Sequence, residues 1–358
     1  MWDFLRFIFL LHVKYVRSPT WVHALKGVDW LGNAIFFPSM ISIFLGLITG
    51  GVENPWRSWR TILPIVLGVL GWIAFHLFQA SPECKEPSTP PRLFRHRTTT
   101  VIFAIIFLGS IIMQAIAYFL PIYFQAVRSK SPLTSGVYFL PFALAIIPFG
   151  GLTRALMSKY GHYIPLHFLG FALCALGAGL LSLLNETSST GAWVGYQIIV
   201  SGGVGIIFTA TIPSTLAPVP QCDIAVATGT YSFIRSFGLV WGVTIASIVF
   251  NNQFEDRLSR DIPASIIHQF RNGAAYSPAS SGFVKSLDIT TSASVVRTYV
   301  HALQVVWLVI AAVGCLGFVI VFAEQHVEFR TDINTEFSLV EKHKGDNIEI
   351  VPPEERKV

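Results

Sequence analysis

The chain is expected to be an all-α integral membrane protein, a helical bundle of about eight transmembrane helices. Its composition points there first: of 358 residues, 53% are hydrophobic and only 13% are charged, where a soluble domain has about 25% charged residues. The apolar residues also gather into eight long stretches, and about 20 such residues are enough to cross a bilayer as a helix. Finally, Arg235 sits near the middle of one stretch on a face of small and polar residues. A charge at that depth needs a packed or watery interior around it, not lipid tails.

The opening run, MWDFLRFIFLLHVKYVRS, is too short to span and is broken by Arg6, His12 and Lys14. No small-residue cleavage site follows it, so it does not read as a signal peptide. Residues 1–30 read instead as the remnant of a preceding span, or an interfacial segment, with a link carrying Lys14, Arg17 and Lys26. Apolar spans then follow at about 31–50, 62–78, 101–124, 133–153, 164–184, 192–216, 222–250 and 299–323. Pro38, Pro64, Pro121, Pro141, Pro148 and Pro213 lie in or beside these spans. Neighbouring helices in a bundle re-satisfy the carbonyls that proline leaves unpaired.

The connections divide the chain. Residues 31–78 form one pair of spans, 79–99 a proline-rich link ending in a basic cluster, and 100–324 a group of six spans. Within that group, 251–298 reads as a long polar outer loop. Residues 325–358 are charged and lack periodicity, which is the pattern of a disordered tail. Asn185-Glu186-Thr187 is a glycosylation sequon, too close to a span end for a sugar to be expected. With the amino end inside, the inner segments hold 15 Lys and Arg and the outer segments 9. Without the long outer loop and the tail, the ratio is 10 to 4. Both termini are therefore expected on the cytoplasmic side.

The Arg235 span organises the rest. At helical spacing Thr228, Tyr231, Gly238, Gly242 and Ala246 share its face, and Gly238 and Gly242 form a small-xxx-small series that admits a second helix. Two readings stay open for Arg235: a contact in a solute pathway, or a bond to the carbonyls of a neighbouring helix. Gln114 and Tyr118, four apart on another span, and Gln197 on a third, are polar groups able to orient a bulky apolar solute. Their alternative role is hydrogen bonding between helices.

Enzyme chemistry finds no support. The sequence has no P-loop, HExxH, GxSxG or complete GxGxxG. Cys84, Cys174, Cys222 and Cys315 are too scattered to hold a metal, and His76 and His167 stand singly in or near spans. No catalytic residue, metal or cofactor is expected. Nor is a nucleic-acid partner, because the basic residues flank spans and do not build one patch. No Asp or Glu lies well inside a span; Asp29, Glu53, Asp223 and Glu324 only border one. A proton-driven transporter needs a titratable group in the membrane, so any coupling site is expected outside these spans.

VDWLGN (28–33), GGVENPWRSWRTILPIVLG (50–68) and PRLFRHRT (91–98) carry a resemblance, as do SGVYFLPFALA (135–145), SKYGHYIPLHFLGFAL (158–173) and IAVATGTYSFIRSFGLVWGVTIASIVFNNQF (224–254). Over about residues 14–324 the chain resembles fungal major facilitator superfamily transporters of the fourteen-span drug:proton antiporter branch. The resemblance implies two linking spans (31–78) and the carboxy-terminal six-helix half, with the amino-terminal half missing. It further implies proton-coupled efflux of drugs or fungal metabolites, with the plasma membrane as the expected site. Arg235, Tyr231, Gln114, Tyr118 and Gln197 are the expected substrate-binding residues, with Gly238 and Gly242 for helix packing. The expected partners are the lipid bilayer, a small-molecule substrate, and either the missing half or a second copy. The alternatives are a truncated product or membrane subunit that does not transport alone, and an uptake facilitator for siderophores or sugars. Sugar uptake would predict more polar groups along the spans than are present.

Overall fold

Eight helices long and apolar enough to cross a membrane dominate the computed structural model, which describes residues 29–50, 54–81, 91–261, 264–267, 270 and 287–327. They are α1 (Trp30–Thr49), α2 (Trp59–Gln79), α3 (Arg97–Ile122), α4 (Pro132–Tyr160), α5 (Ile164–Leu181), α6 (Thr190–Leu216), α7 (Ile224–Asp261) and α8 (Ile289–Val321). The expected span remnant before residue 29 and most of the expected tail lie outside the described residues.

Short polar residues start the helices. Asp29, Ser131, Ser189 and Asp288 each stand before the first turn and accept a backbone N–H from inside it, pairing donors that the helix leaves open. Pro132 begins α4, and Gly161 ends it in the left-handed conformation, φ 68°, which glycine adopts without a Cβ clash. Pro38, Pro64, Pro121, Pro141, Pro148 and Pro213 all lie inside helices. At its far end α3 widens into a π-helical turn, Tyr123–Val127.

Three helices run further than their apolar stretches. α4 continues through Arg154 and Lys159 to Tyr160, α7 continues to Asp261, and α8 begins at Ile289. Apolarity sets where a helix sits in lipid; backbone hydrogen bonding sets where it ends. The 251–298 stretch, expected as a loop, is therefore helical at both ends, with a further turn at Ala264–Ile267. The α7 overhang packs on the start of the α8 span, the Phe254 and Tyr299 rings being 4.8 Å apart.

α3 and α6 are the most enclosed helices, α3 being packed against α6, α7 and α8. α5 lies between α6 and α8, and α4 packs on α6. α1 and α2 form a pair that meets α7 through Phe36 on Phe233, 5.2 Å, and Phe44 on Trp241, 5.4 Å. Where helices touch most closely, glycine makes the contact possible. A Cβ on Gly203 of α6 would come 2.5 Å from the Gly170 carbonyl of α5, and one on Gly242 of α7 would come 2.6 Å from the Ile111 carbonyl of α3.

Contacts at both ends hold the order. At the Arg128 end, Arg128 donates to the Glu186 and Ser188 carbonyls at 2.5 and 3.0 Å, and Tyr123 donates to the Asn185 carbonyl at 2.8 Å. At the Arg97 end, Arg92 pairs with Asp223 at 2.8 Å, and Gln79 donates to Asp29. There the chain leaving α8 does not depart at once. Thr98 and Tyr163 donate to the Gln325 carbonyl at 3.2 and 3.0 Å, and Val327 N–H donates to the Tyr163 hydroxyl at 2.8 Å.

Candidate functional site

A cavity of about 620 Å³ lies among α3, α4, α6 and α7, well within the range of small-molecule sites. Helical spacing builds its walls. Arg154, Met157 and Ser158 stand one turn apart on α4; Val204, Phe208 and Ile212 form an i, i+4 ladder on α6, with Thr209 beside it. Glycine lets α4 and α6 close behind the cavity: a Cβ on Gly205 would come 2.7 Å from the Ile146 carbonyl. Met113 enters from α3 and Arg235 from α7.

Arg235 is half-buried, and its guanidinium lies over the Phe208 ring at 4.8 Å. Such a contact offsets part of the cost of taking the cation out of water, about 2 kcal/mol when desolvated. No hydrogen bond or ion pair joins Arg235 to another described residue, so the carbonyl-bonded reading of this arginine finds no bond here. Arg154 is exposed at the Arg97 end and likewise makes no ion pair among the described residues.

Of the five expected binding residues, Arg235 lines this cavity and the other four stand elsewhere. Tyr231 is buried one turn from Arg235, its hydroxyl 2.9 Å from Thr211 Oγ1 of α6. Gln197 is fully buried and donates through Nε2 to the Tyr138 and Trp193 carbonyls, both at 3.1 Å. It ties α6 to α4. Gln114 stands beside Gly242, where α3 meets α7. Tyr118 is 41% exposed, with its ring against Phe119. Gly238 and Gly242 lie on the same seam, where an added Cβ would come 2.6 Å from the Phe107 or Ile111 carbonyl. Tyr231, Gln197, Gln114 and the two glycines thus lie at contacts between helices, where hydrogen bonding or close approach uses them.

Arg154, Ser158, Phe208 and Thr209 are cavity residues that the sequence reading did not single out. For Arg154 a signal existed. Gly161 is a natural helix end, and a helix carried to it places Arg154 and Ser158 on one face.

A second polar cluster lies at the Arg97 end. Glu324, just past α8, turns back and meets His167 of α5, Oε2 to Nδ1 at 2.8 Å, with both side chains fully buried. His167 Nε2 has no hydrogen-bond partner among the described residues. Tyr163 lies beside the pair; burial pushes its hydroxyl above the ordinary tyrosine range, Val327 N–H opposes this, and the Glu324 charge adds to it. No group of three or more His, Cys, Asp or Glu able to hold a metal occurs among the described residues.

Residues 34–243 match the family model described as Major Facilitator Superfamily. Among curated proteins, the chain is 41% identical over 332 residues to "MFS efflux transporter aclA" of Aspergillus oryzae, covering 93% of the chain and 60% of that relative. It is 38% identical to "MFS-type efflux pump LUC4" of a Fusarium species, with 93% and 60% covered. To "Efflux pump FUS6" of Gibberella fujikuroi it is 40% identical, with 94% and 61% covered. The chain thus spans about 60% of the length of the curated relatives it matches.

Proposed function

Because the chain belongs to the major facilitator superfamily, a family of transporters and not of enzymes, we propose that it takes part in efflux of small, largely apolar organic compounds such as drugs or fungal metabolites and toxins. The cavity among α3, α4, α6 and α7 carries this reading: its walls are mostly apolar, with a few convergent polar groups, the chemistry of a solute site. The printed names of the relatives, efflux transporter and efflux pump, agree with the direction.

The finer reading is that α1 and α2 are the linking pair and α3–α8 the carboxy-terminal half of a fourteen-span, proton-coupled antiporter. Facilitators bind solute between two halves that rock against each other. The cavity then needs an opposing wall, supplied by further amino-terminal helices or by a second copy of this chain. The exposed Leu133, Leu140, Leu144 and Ile147 on α4 give such a wall, or lipid, an apolar surface to meet. The excess of basic residues on one side supports both termini in the cytoplasm, and the family likeness supports the plasma membrane. Uptake of sugars fits less well with so apolar a lining.

The test is accumulation of a fluorescent apolar drug in yeast lacking its own pumps, with and without the chain, insertion being confirmed by immunoblot. Lower accumulation that Arg235→Ala abolishes supports efflux through this cavity. Unchanged accumulation with good insertion overturns efflux by the chain and leaves a membrane subunit that does not transport alone.

A further inference from the structure

Resting on the solute-cavity reading above, we propose that this cavity selects organic anions: an apolar body carrying a carboxylate or another oxyanion. The lining holds two guanidinium groups, Arg154 and Arg235, and two hydroxyls, Ser158 and Thr209, but no acidic residue. Several arginines elsewhere are satisfied by the protein, while Arg57, Arg60, Arg97 and Arg297 make no hydrogen bond or ion pair among the described residues and stand exposed to solvent. Arg92 pairs with Asp223, Arg128 with two carbonyls, and Arg260 with Asp256. Arg154 and Arg235 have no such partner among the described residues.

The position of Arg235 sharpens the argument. Phe208 contacts the guanidinium and gives it no hydrogen-bond acceptor. A guanidinium presents five N–H donors in a planar fork that matches a carboxylate or phosphate. Drawing such a cation partly out of water without an acceptor is unfavourable, so an arriving oxyanion satisfies the cavity as the cavity satisfies it. The apolar part of the solute would lie on Met113, Ile146, Val204 and Ile212. A neutral solute gains only that apolar contact. A cationic one meets two like charges.

Three fluorescent probes that differ only in their head group test this: 1-pyrenebutyrate, 1-pyrenebutanamide and 1-pyrenebutylamine. Their binding is measured by fluorescence on the purified full chain in uncharged detergent, against empty micelles. The butyrate is expected to bind at least about tenfold more tightly than the amide, a ratio equivalent to about 1.4 kcal/mol, and the amine more weakly than either. Arg154→Gln and Arg235→Gln should each narrow the acid-to-amide ratio, and the double variant should erase it. Arg235→Lys keeps the charge and should keep part of the ratio. Wild-type protein binding all three probes alike overturns anion selection but leaves a solute cavity standing. Binding of none beyond the empty-micelle level overturns the cavity reading and anion selection together.

Discussion

Glu324 and His167 are the residues whose fate says most about how sequence becomes structure here. Neither is informative alone: one borders a span and the other stands singly within one. The fold buries both completely and joins them at 2.8 Å. Breaking a buried pair by removing one partner leaves the other unsatisfied, at about 3–5 kcal/mol. Glu324→Ala is therefore expected to lower the thermal midpoint of the purified chain markedly; an unchanged midpoint would contradict the burial. The pair was not legible because the direction a chain takes on leaving a helix depends on distant partners. Here these are Thr98 and Tyr163, which hold the Gln325 carbonyl and Val327. Arg235 was legible for the opposite reason, since charge at mid-membrane depth narrows the surroundings it can have.

At the level of the element, α7 shows what a single carbon can do. Gly229 has open space where a Cβ would go, whereas at Gly242 a Cβ would press on the Ile111 backbone at 2.6 and 3.0 Å. Gly242→Ala should push α7 from α3 and destabilise the chain by about 1–3 kcal/mol. Gly229→Ala should be neutral or slightly stabilising, because alanine favours helix. Melting the two variants side by side checks this, and equal behaviour would contradict the tight seam. The first turn of α8 offers a pH test. Hydrogen bonds from the Thr290 and Thr291 side chains, and then from the Thr291 backbone, hold the exposed Asp288 carboxyl down at about 2. An unfolded aspartate titrates near 3.9, so the unfolded state takes its proton first. The cap's contribution is whole above about pH 4 and is lost as pH falls through about 2. Amide-exchange protection at residues 289–292 should hold at pH 5 and fall on acidification below 4, but not in Asp288→Asn, which caps without titrating. Helix ends such as this one were less legible than helix middles. Arg154 and Lys159 look like a loop by charge, and only the backbone geometry at Gly161 shows where α4 ends.

For the whole molecule, the class, the eight helices and their order could be read from composition and span length, because lipid imposes both. Which faces meet could not. Tyr231, Gln197 and Gln114 are used at contacts between helices, while Arg154, Ser158 and Thr209 line the cavity. Helical period alone assigns a residue to a face; packing decides whether that face sees solute or a neighbour. The central claim is that the cavity among α3, α4, α6 and α7 is the path of an exported solute. Ile212 lines it and is 42% exposed, whereas Val319 on α8 is 62% exposed and away from it. The most direct measurement is drug accumulation in pump-deficient yeast expressing wild-type chain, Ile212→Trp or Val319→Trp at equal insertion. The cavity account expects wild type and Val319→Trp to lower accumulation and Ile212→Trp, with its cavity filled, to leave it at the level of cells without the chain. Export by Ile212→Trp as strong as wild type would contradict it.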